Sequence, residues 1–98
     1  MRHTVVRYRT KPDRAEENEQ LVRAVYAELE VRRPAGLRYI TFRLDDGATF
    51  VHVAIEDGDG PSPLPQLPAF ERFTAGIADR CEEQPVVIRT GPIGSYGF

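Results

Sequence analysis

Four short segments of the chain combine β-branched and aromatic residues in the pattern of β-strands. They cover residues 3–10, 37–44, 48–56 and 85–90. Within the first segment, Val5 and Arg7 fall on one face and Val6 on the other, as the two-residue period of a strand requires. The sequence therefore predicts four strands.

Two other segments show the period of an amphipathic helix. The first runs from Asp13 to about Arg33, with apolar residues at helical spacing: Leu21, Val22, Val25 and Leu29. Asp13 and Glu16 have the spacing of a capping box, and residues 34–36 end the helix.

The second helix is predicted from Pro68 to about Glu82, and Pro85 ends it. Its apolar stripe consists of Leu67, Phe70, Phe73, Ile77 and Cys81. The proline-rich segment 57–68 before it is predicted to be a loop without helix or strand. This loop is either a rigid crossover or a lid over a cavity.

Residues 45–47, Asp-Asp-Gly, separate the second and third predicted strands. An Asp–Gly pair is typical of a type I′ turn, in which both central residues have a positive φ. If Asp46 and Gly47 are these residues, Phe42 lies opposite Val51, and the two faces of the hairpin carry different side chains. The apolar set is Ile40, Phe42, Val51 and Val53. The amphiphilic set is Tyr39, Thr41, Arg43, Phe50, His52 and Ala54.

The element order β-α-β-β-α-β is that of the ferredoxin-like fold, a four-stranded antiparallel sheet with both helices on one face. We therefore expect a single α+β domain over residues 1–98. The amphiphilic set is expected on the sheet face away from the helices, joined by Val5, Arg7, Val87 and Arg89. A partly apolar face on a small domain favours an interface, so we expect two sheets to enclose a cavity in a homodimer, a dimeric α/β barrel.

Composition narrows the classes of function. The chain carries 13 Lys and Arg against 15 Asp and Glu, a net charge of −2, so no basic field attracts nucleic acid or anionic lipid. Its single cysteine, Cys81, excludes an internal disulfide and is expected to be buried. The sequence shows neither a membrane-spanning apolar run nor a signal-peptide core at its start, so we expect a cytoplasmic protein.

RNA recognition is the rival class, because RNA-recognition motifs share this element order. Their third-strand signature needs a basic residue followed by aromatic residues that stack on bases. Aligned at residues 46–53, this chain has Asp46 at the basic position and Ala48 and Val53 at aromatic positions. These residues argue against RNA binding.

Several motifs resemble the dimeric α/β-barrel superfamily, and within it small bacterial proteins similar to antibiotic biosynthesis monooxygenases. The resemblance covers nearly the whole chain and rests on the segments VVRYRTKP (5–12), AEEN (15–18), FVHVA (50–54), PL (63–64), LPAF (67–70) and GSY (94–96). It implies a homodimer formed through the sheet face. For activity it implies less, because the superfamily includes cofactor-independent oxygenases, haem-degrading enzymes and proteins without a known role.

Two departures from that superfamily bear on activity. Its oxygenases and haem degraders commonly use a tryptophan with an asparagine in the cavity, whereas this chain has no tryptophan. The only asparagine, Asn18, is expected near the start of the first helix on a mostly polar arc. Haem degraders place a histidine on the second helix, where residues 67–82 contain none. The sequence therefore argues against haem, and no cofactor is expected.

His52 is the strongest candidate for chemistry, because a histidine beside Phe50 and Thr41 can act as a general acid or base. The alternative is a structural histidine, hydrogen-bonded to Thr41 or to the partner chain. His3 is distant in the sequence and brings no further ligands, so no metal site is expected.

Arg7, Arg43 and Arg89 either converge on the cavity, where they would bind an anionic group, or pair with carboxylates at its rim, Glu56 and Asp45. With His52 as the base, Arg7 and Arg89 are the predicted catalytic arginines. The predicted substrate-binding residues are Tyr39, Thr41, Arg43 and Phe50. Tyr39 and Tyr96 either donate a phenol to a substrate carbonyl or pack in the dimer.

These residues and the resemblance lead to one expected function and one alternative. The expected function is a cofactor-independent monooxygenase that acts on a small aromatic or quinol-like compound in the cavity between the sheets. The alternative is a non-catalytic homodimer that binds a small molecule or has a structural role.

Overall fold

The computed structural model describes residues 1–97, and Phe98, the last residue of the predicted domain, lies outside the described residues. The strands are β1 (Arg2–Thr10), β2 (Leu37–Arg43), β3 (Thr49–Glu56) and β4 (Cys81–Thr90). The α-helices are α1 (Ala15–Arg32), α2 (Pro68–Ala75) and α3 (Ile77–Arg80), and single 3₁₀ turns cover Pro12–Arg14 and Leu64–Gln66.

The four strands form one antiparallel sheet in the order β2-β3-β1-β4, and the helices pack on one of its faces. This confirms the predicted ferredoxin-like α+β fold. The hairpin register is also confirmed, with Phe42 opposite Val51 and Thr41 opposite His52. The strand register therefore follows from the position of the turn in the sequence.

The turn that sets this register is not of the predicted type. Gly47 has a positive φ of 77°, but Asp46 does not. The Asp46 carboxylate instead accepts hydrogen bonds from the Thr49 hydroxyl and from the backbone N–H groups of Ala48 and Thr49. These bonds lower the pKa of Asp46 to about 2, the Thr49 hydroxyl contributing most. Because its side chain caps the loop in this way, Asp46 keeps an ordinary backbone conformation.

The start of α1 also differs from the prediction. A 3₁₀ turn precedes it, and neither element has a side-chain cap, so the predicted capping box of Asp13 and Glu16 is absent. The helix ends at Arg32, as expected before Pro34, and the capping residue Arg33 adopts a left-handed conformation with φ 44°.

The second predicted helix is shorter than its apolar stripe indicates. Gly76 separates α2 from α3, and β4 begins at Cys81 rather than at Pro85. The reason is tertiary: Cys81 pairs with Thr10 of β1, and the Lys11 N–H donates to the Arg80 carbonyl. Pairing with β1 therefore overrides the helical period after Arg80. In the proline-rich segment, the 3₁₀ turn Leu64–Gln66 forms where a plain loop was predicted.

The helices cover the sheet face opposite to the one predicted. Phe50, His52 and Ala54 of the amphiphilic set are buried in the layer between the sheet and the helices. Ile40 and Phe42 of the apolar set lie on the other face, where each is 50% exposed. The prediction was wrong because the polar atoms of the amphiphilic set find hydrogen-bond partners within the core rather than water.

The exposed face of the sheet, called the open face below, carries a continuous set of apolar side chains. Its members are Val5, Ile40, Phe42, Val51, Val53, Ile55, Val86 and Ile88. Of the four residues predicted to join the amphiphilic set, Val5 and Arg7 lie on this open face, whereas Val87 and Arg89 lie on the helix face. The predicted grouping of these four is therefore wrong.

Cys81 is buried in the core, as predicted, and burial raises the pKa of its thiol. No helix in residues 1–97 is both long enough and apolar enough to cross a membrane.

Candidate functional site: a cavity beneath α2

A cavity of about 300 Å³ lies between the helix face of the sheet and α2. Most of its walls are apolar: Val6, Ala54, Leu64, Pro65, Phe70, Phe73, Ile77, Pro85 and Val87. The polar side chains in the lining are Thr4, Tyr8, Tyr39, His52, Glu56, Ser62 and Thr74. The cavity lies within one chain, whereas the predicted cavity was between two sheets. An apolar pocket with a few polar groups is the usual form of a small-molecule site.

His52 lies in the wall of this cavity with both ring nitrogens hydrogen-bonded. Its Nε2 is 2.8 Å from the hydroxyl of Tyr8, and its Nδ1 is 2.6 Å from the hydroxyl of Tyr39 and 3.0 Å from Oγ1 of Thr41. The ring is 4% exposed, and burial lowers the pKa of His52 to about 4. At neutral pH the imidazole is therefore uncharged.

The hydrogen bonds continue from Tyr8 into α1 and α3. Asn18 Nδ2 donates to the Tyr8 hydroxyl over 2.8 Å, and Asn18 Oδ1 accepts from Arg80 Nε over 3.1 Å. Arg80 Nη2 also donates to the carbonyl of Phe73 over 2.6 Å. Asn18 is 0% exposed and Arg80 is 2% exposed. We call the series Arg80, Asn18, Tyr8, His52 and Tyr39 the buried chain.

The fold explains why these side chains meet. Val6 and His52 are opposite each other in β1 and β3, so Tyr8, two residues along β1, faces the same side of the sheet. Thr41 is directly opposite His52 in β2, and Tyr39 is its diagonal neighbour. Asn18, in the first turn of α1, reaches Tyr8 from above the sheet.

Both tyrosines of the buried chain are protonated at neutral pH, because burial raises the pKa of Tyr8 and of Tyr39. The wall beside His52 therefore contains two phenol donors and one neutral imidazole. Phe73 of α2 completes it, with its ring centroid 5.3 Å from that of His52. This arrangement can hold or move a proton next to a flat apolar molecule.

The three predicted arginines do not converge on the cavity. Arg7 is on the open face, opposite to His52, and lies 3.7 Å from Glu83. Arg43 donates hydrogen bonds to the carboxylates of Glu16 and Glu19 of α1, over 2.8 and 3.0 Å. Arg89 is exposed and is not part of the lining. The positions of Arg7 and Arg89 give no support to a catalytic role for them.

The alternative partners predicted for these arginines are also different. Glu56 pairs with Arg2, at 3.4 Å, rather than with Arg7, Arg43 or Arg89. Arg43 lies 5.8 Å from the centroid of the Phe50 ring. It lines a separate pocket beside α1, together with Thr41 and Phe50.

Of the four predicted substrate-binding residues, only Tyr39 lines the same cavity as His52. Thr41 contacts His52 without lining that cavity, and the other predicted phenol, Tyr96, is fully exposed. The Thr41 bond is the one expected for a structural histidine, so the geometry leaves both interpretations of His52 standing.

Sequence reasoning missed Tyr8, Asn18 and Arg80. One signal was available for Arg80, which falls on the apolar stripe three residues after Ile77 and seven after Phe73. A charged residue at such a position needs buried partners. Within residues 1–97, no group of three or more His, Cys, Asp or Glu side chains is placed to hold a metal ion.

Solved structures share this architecture. A proposed antibiotic biosynthesis monooxygenase from Nitrosomonas europaea matches with a TM-score of 0.79 and 20% identity, over 96% of this chain and 100% of that chain. Another from Caulobacter crescentus matches with a TM-score of 0.73 and 18% identity, over 95% and 90%. This chain has their fold. The resemblance seen in the sequence is confirmed at the level of the fold.

A further match is SnoaB, a cofactor-independent oxygenase from Streptomyces nogalater, solved as an asparagine-to-alanine variant. Its TM-score is 0.71 and its identity 16%, over 99% of this chain and 97% of that chain. No family model matches the sequence, and the search of curated proteins finds no match. At these identities the likeness describes the fold, and the activity must be argued from the cavity.

Proposed function

We propose that this chain is a cofactor-independent monooxygenase that acts on a small aromatic or quinol-like compound in the cavity beneath α2. One observation carries the proposal: a neutral histidine lies between two phenols in the wall of a mostly apolar cavity. The fold shared with SnoaB, described as a cofactor-independent oxygenase, is consistent with it.

The proposed chemistry needs a group that manages a proton. Without a cofactor, the substrate must itself supply the electrons that reduce dioxygen, and an aromatic hydroxyl does so more readily once it is ionised. In the overall reaction a ring C–H of a hydroquinone becomes C–OH and its two phenolic hydroxyls become the carbonyls of a quinone, while dioxygen gives one oxygen atom to the product and one to water. We assign this role to His52 and Tyr39, which are hydrogen-bonded to each other in the cavity wall.

The apolar walls fit the same class of substrate. Phe70 and Phe73 come from α2, and Val6 and Val87 come from adjacent strands. Such walls bind a flat ring by burial of apolar surface and keep water from the reactive anion.

We also propose that the protein is a homodimer formed through the open face. This face presents eight apolar side chains, of which Ile40, Phe42, Val86 and Ile88 are each at least 45% exposed. An apolar patch of this extent is unusual on a small monomer, and a two-fold dimer is the commonest way to cover it.

A non-catalytic binding function is the second candidate, and it also has an observation in its favour. Both ring nitrogens of His52 are already hydrogen-bonded to protein groups, so a ligand contacts this imidazole through Tyr39 or after rearrangement. A cavity with satisfied polar groups suits binding as well as catalysis.

Oxygen uptake separates the two candidates. Uptake is measured with a panel of dihydroxy-aromatics and quinols for the wild-type protein, for His52→Ala and for His3→Ala. His3 is the matched control, because it lies on the opposite face of the sheet. Catalysis predicts uptake by the wild type and by His3→Ala, and its loss in His52→Ala. Unchanged uptake in His52→Ala removes His52 from the mechanism, and no uptake with any compound favours the binding function.

A further inference from the structure

Arg80 is a buried cation without a buried anion beside it. Within residues 1–97 no carboxylate lies within salt-bridge distance of its guanidinium, whose recorded partners are the oxygen atoms of Asn18 and of the Phe73 backbone. The ring of Phe73 also lies 5.6 Å from its carbon Cζ. Burying a charge in this way is costly, so these contacts hold the guanidinium in one position.

Arg80 determines the orientation of Asn18. A guanidinium nitrogen only donates, so the Asn18 atom 3.1 Å from Arg80 Nε must be the oxygen. The amide nitrogen of Asn18 therefore faces Tyr8 and donates to its hydroxyl. The Tyr8 oxygen accepts this bond, and its own hydrogen remains to be placed.

The hydrogen of Tyr8 goes to His52. The hydroxyl of this 1%-exposed side chain has two recorded partners, Asn18 Nδ2 and His52 Nε2. If Nε2 carried a hydrogen, two donors would point at the Tyr8 oxygen and the hydrogen of Tyr8 would have no acceptor among the protein groups of residues 1–97. When Tyr8 donates to Nε2 instead, every bond from Arg80 onward runs in the same direction, and each strengthens the next.

The same direction then extends to Tyr39. A neutral imidazole with an unprotonated Nε2 carries its hydrogen on Nδ1. Nδ1 donates to the hydroxyl of Tyr39, its shorter contact at 2.6 Å. Tyr39 is only partly buried and lines the cavity, and the Thr41 hydroxyl beside it is already bonded to Tyr26, so the hydrogen of Tyr39 can be donated to water or to a ligand.

We propose that Arg80 and Asn18 are positioning residues that hold His52 as the Nδ1–H tautomer and so make Tyr39 a hydrogen-bond donor to the ligand. The ligand class that follows is a flat apolar molecule with an acceptor oxygen, a ketone, quinone or phenolate. This ligand class rests on the proposed function of the cavity. The tautomer of His52 does not, and it can be measured alone.

The substitution Asn18→Asp reverses the chain without changing its shape. A carboxylate at this position accepts from Arg80 and also from the Tyr8 hydroxyl. Tyr8 must then accept from Nε2–H, which moves the hydrogen of His52 from Nδ1 to Nε2. Tyr39 in turn donates to Nδ1 and is lost as a donor to the cavity.

Nuclear magnetic resonance of the histidine ring nitrogens tests the tautomer directly. The shifts distinguish protonated from unprotonated nitrogen, and a His3→Gln background leaves His52 as the only histidine. We expect Nδ1–H in the wild-type sequence and Nε2–H in Asn18→Asp. An Nε2–H tautomer in the wild-type sequence overturns the proposal even if Asn18→Asp does not fold. Finding the same tautomer in the folded wild-type sequence and in folded Asn18→Asp also overturns the proposal.

A matched pair of probes tests the ligand class. Alpha-tetralone and tetralin have the same ring skeleton and differ in one carbonyl oxygen. We expect the wild type to bind the ketone about threefold to tenfold more tightly than the hydrocarbon, the range of one hydrogen bond, and both Asn18→Asp and Tyr39→Phe to lose this preference. A preference that persists in Tyr39→Phe, or no binding of either probe, overturns the ligand class. A failure of the proposed function, seen as no oxygen uptake, leaves the tautomer result unchanged.

Discussion

The hydroxyl of Tyr8 lies 2.8 Å from Nε2 of His52, and this contact joins the cavity wall to the helices. The same hydroxyl accepts from Asn18 of α1, so one buried oxygen connects the sheet, α1 and the cavity. Buried polar groups stabilise a core only when each of them has a hydrogen-bond partner. The contact between Tyr8 and His52 is therefore both a structural bond and part of the candidate site.

Replacing Tyr8 by phenylalanine removes that oxygen and keeps the ring. We expect Tyr8→Phe to lower the free energy of unfolding by about 1–3 kcal/mol, because Asn18 Nδ2 and His52 Nε2 lose a buried partner. Urea unfolding measures the change. Tyr96→Phe is the matched control and should have no effect, since Tyr96 is fully exposed. Equal stability of wild type and Tyr8→Phe would contradict the buried chain.

The lowered pKa of His52 predicts a pH dependence of stability. Its pKa is about 4 in the folded protein, against 6.5 for an ordinary histidine. Between these values the unfolded chain binds a proton that the folded protein does not, so stability falls as the pH drops through this window. At pH 4 the loss amounts to about 3 kcal/mol relative to pH 7.

Urea unfolding of wild type and His52→Gln at pH 7 and pH 4 isolates this contribution. The variant lacks the titrating group. From pH 7 to pH 4, the free energy of unfolding of the wild type should therefore fall by about 3 kcal/mol more than that of the variant. Val31→Gln, at an exposed position of α1 without a titrating group, serves as the control and should follow the wild type. Parallel pH profiles for wild type and His52→Gln would show that His52 titrates normally.

The open face provides a prediction about assembly. Light scattering at micromolar concentration should give about twice the chain mass of 11.1 kDa. Phe42→Asp places a charge within the proposed interface and should give the mass of one chain. Val31→Asp makes the same kind of change on α1, at a side chain that is 83% exposed, and should leave the dimer intact. A wild-type protein with the mass of one chain would refute the dimer.

The sequence was sufficient to predict the fold and the hairpin register. Asp45, Asp46 and Gly47 mark the turn, and the alternation on either side pairs Thr41 with His52. A slip of one residue would mix apolar and amphiphilic side chains on both faces, and the position of the turn excludes a longer slip. For this reason the register was correct even though the turn type was wrong.

The covered face was not predictable from the same alternation. The apolar face was assigned to the core because apolar side chains favour burial, but here the amphiphilic face is buried. Asn18 and Tyr26 of α1 supply its polar partners, and these lie far from β2 and β3 in the sequence. A period within one strand contains no information about such partners. Arg7 was predicted on the face of His52 but lies on the other face, because β1 and β3 pair Val6 with His52.

Oxygen uptake by a variant with a filled cavity tests most directly the claim that the chemistry occurs beneath α2. Ala54 lines the cavity two residues from His52 along β3, so Ala54→Leu fills part of the space that a substrate would occupy. Ala24→Leu, on the exposed side of α1, is the matched control. The account predicts uptake by the wild type and by Ala24→Leu, and at least a tenfold loss in a folded Ala54→Leu, about 1.4 kcal/mol of barrier. Equal uptake by all three proteins, or none by the wild type, would contradict it.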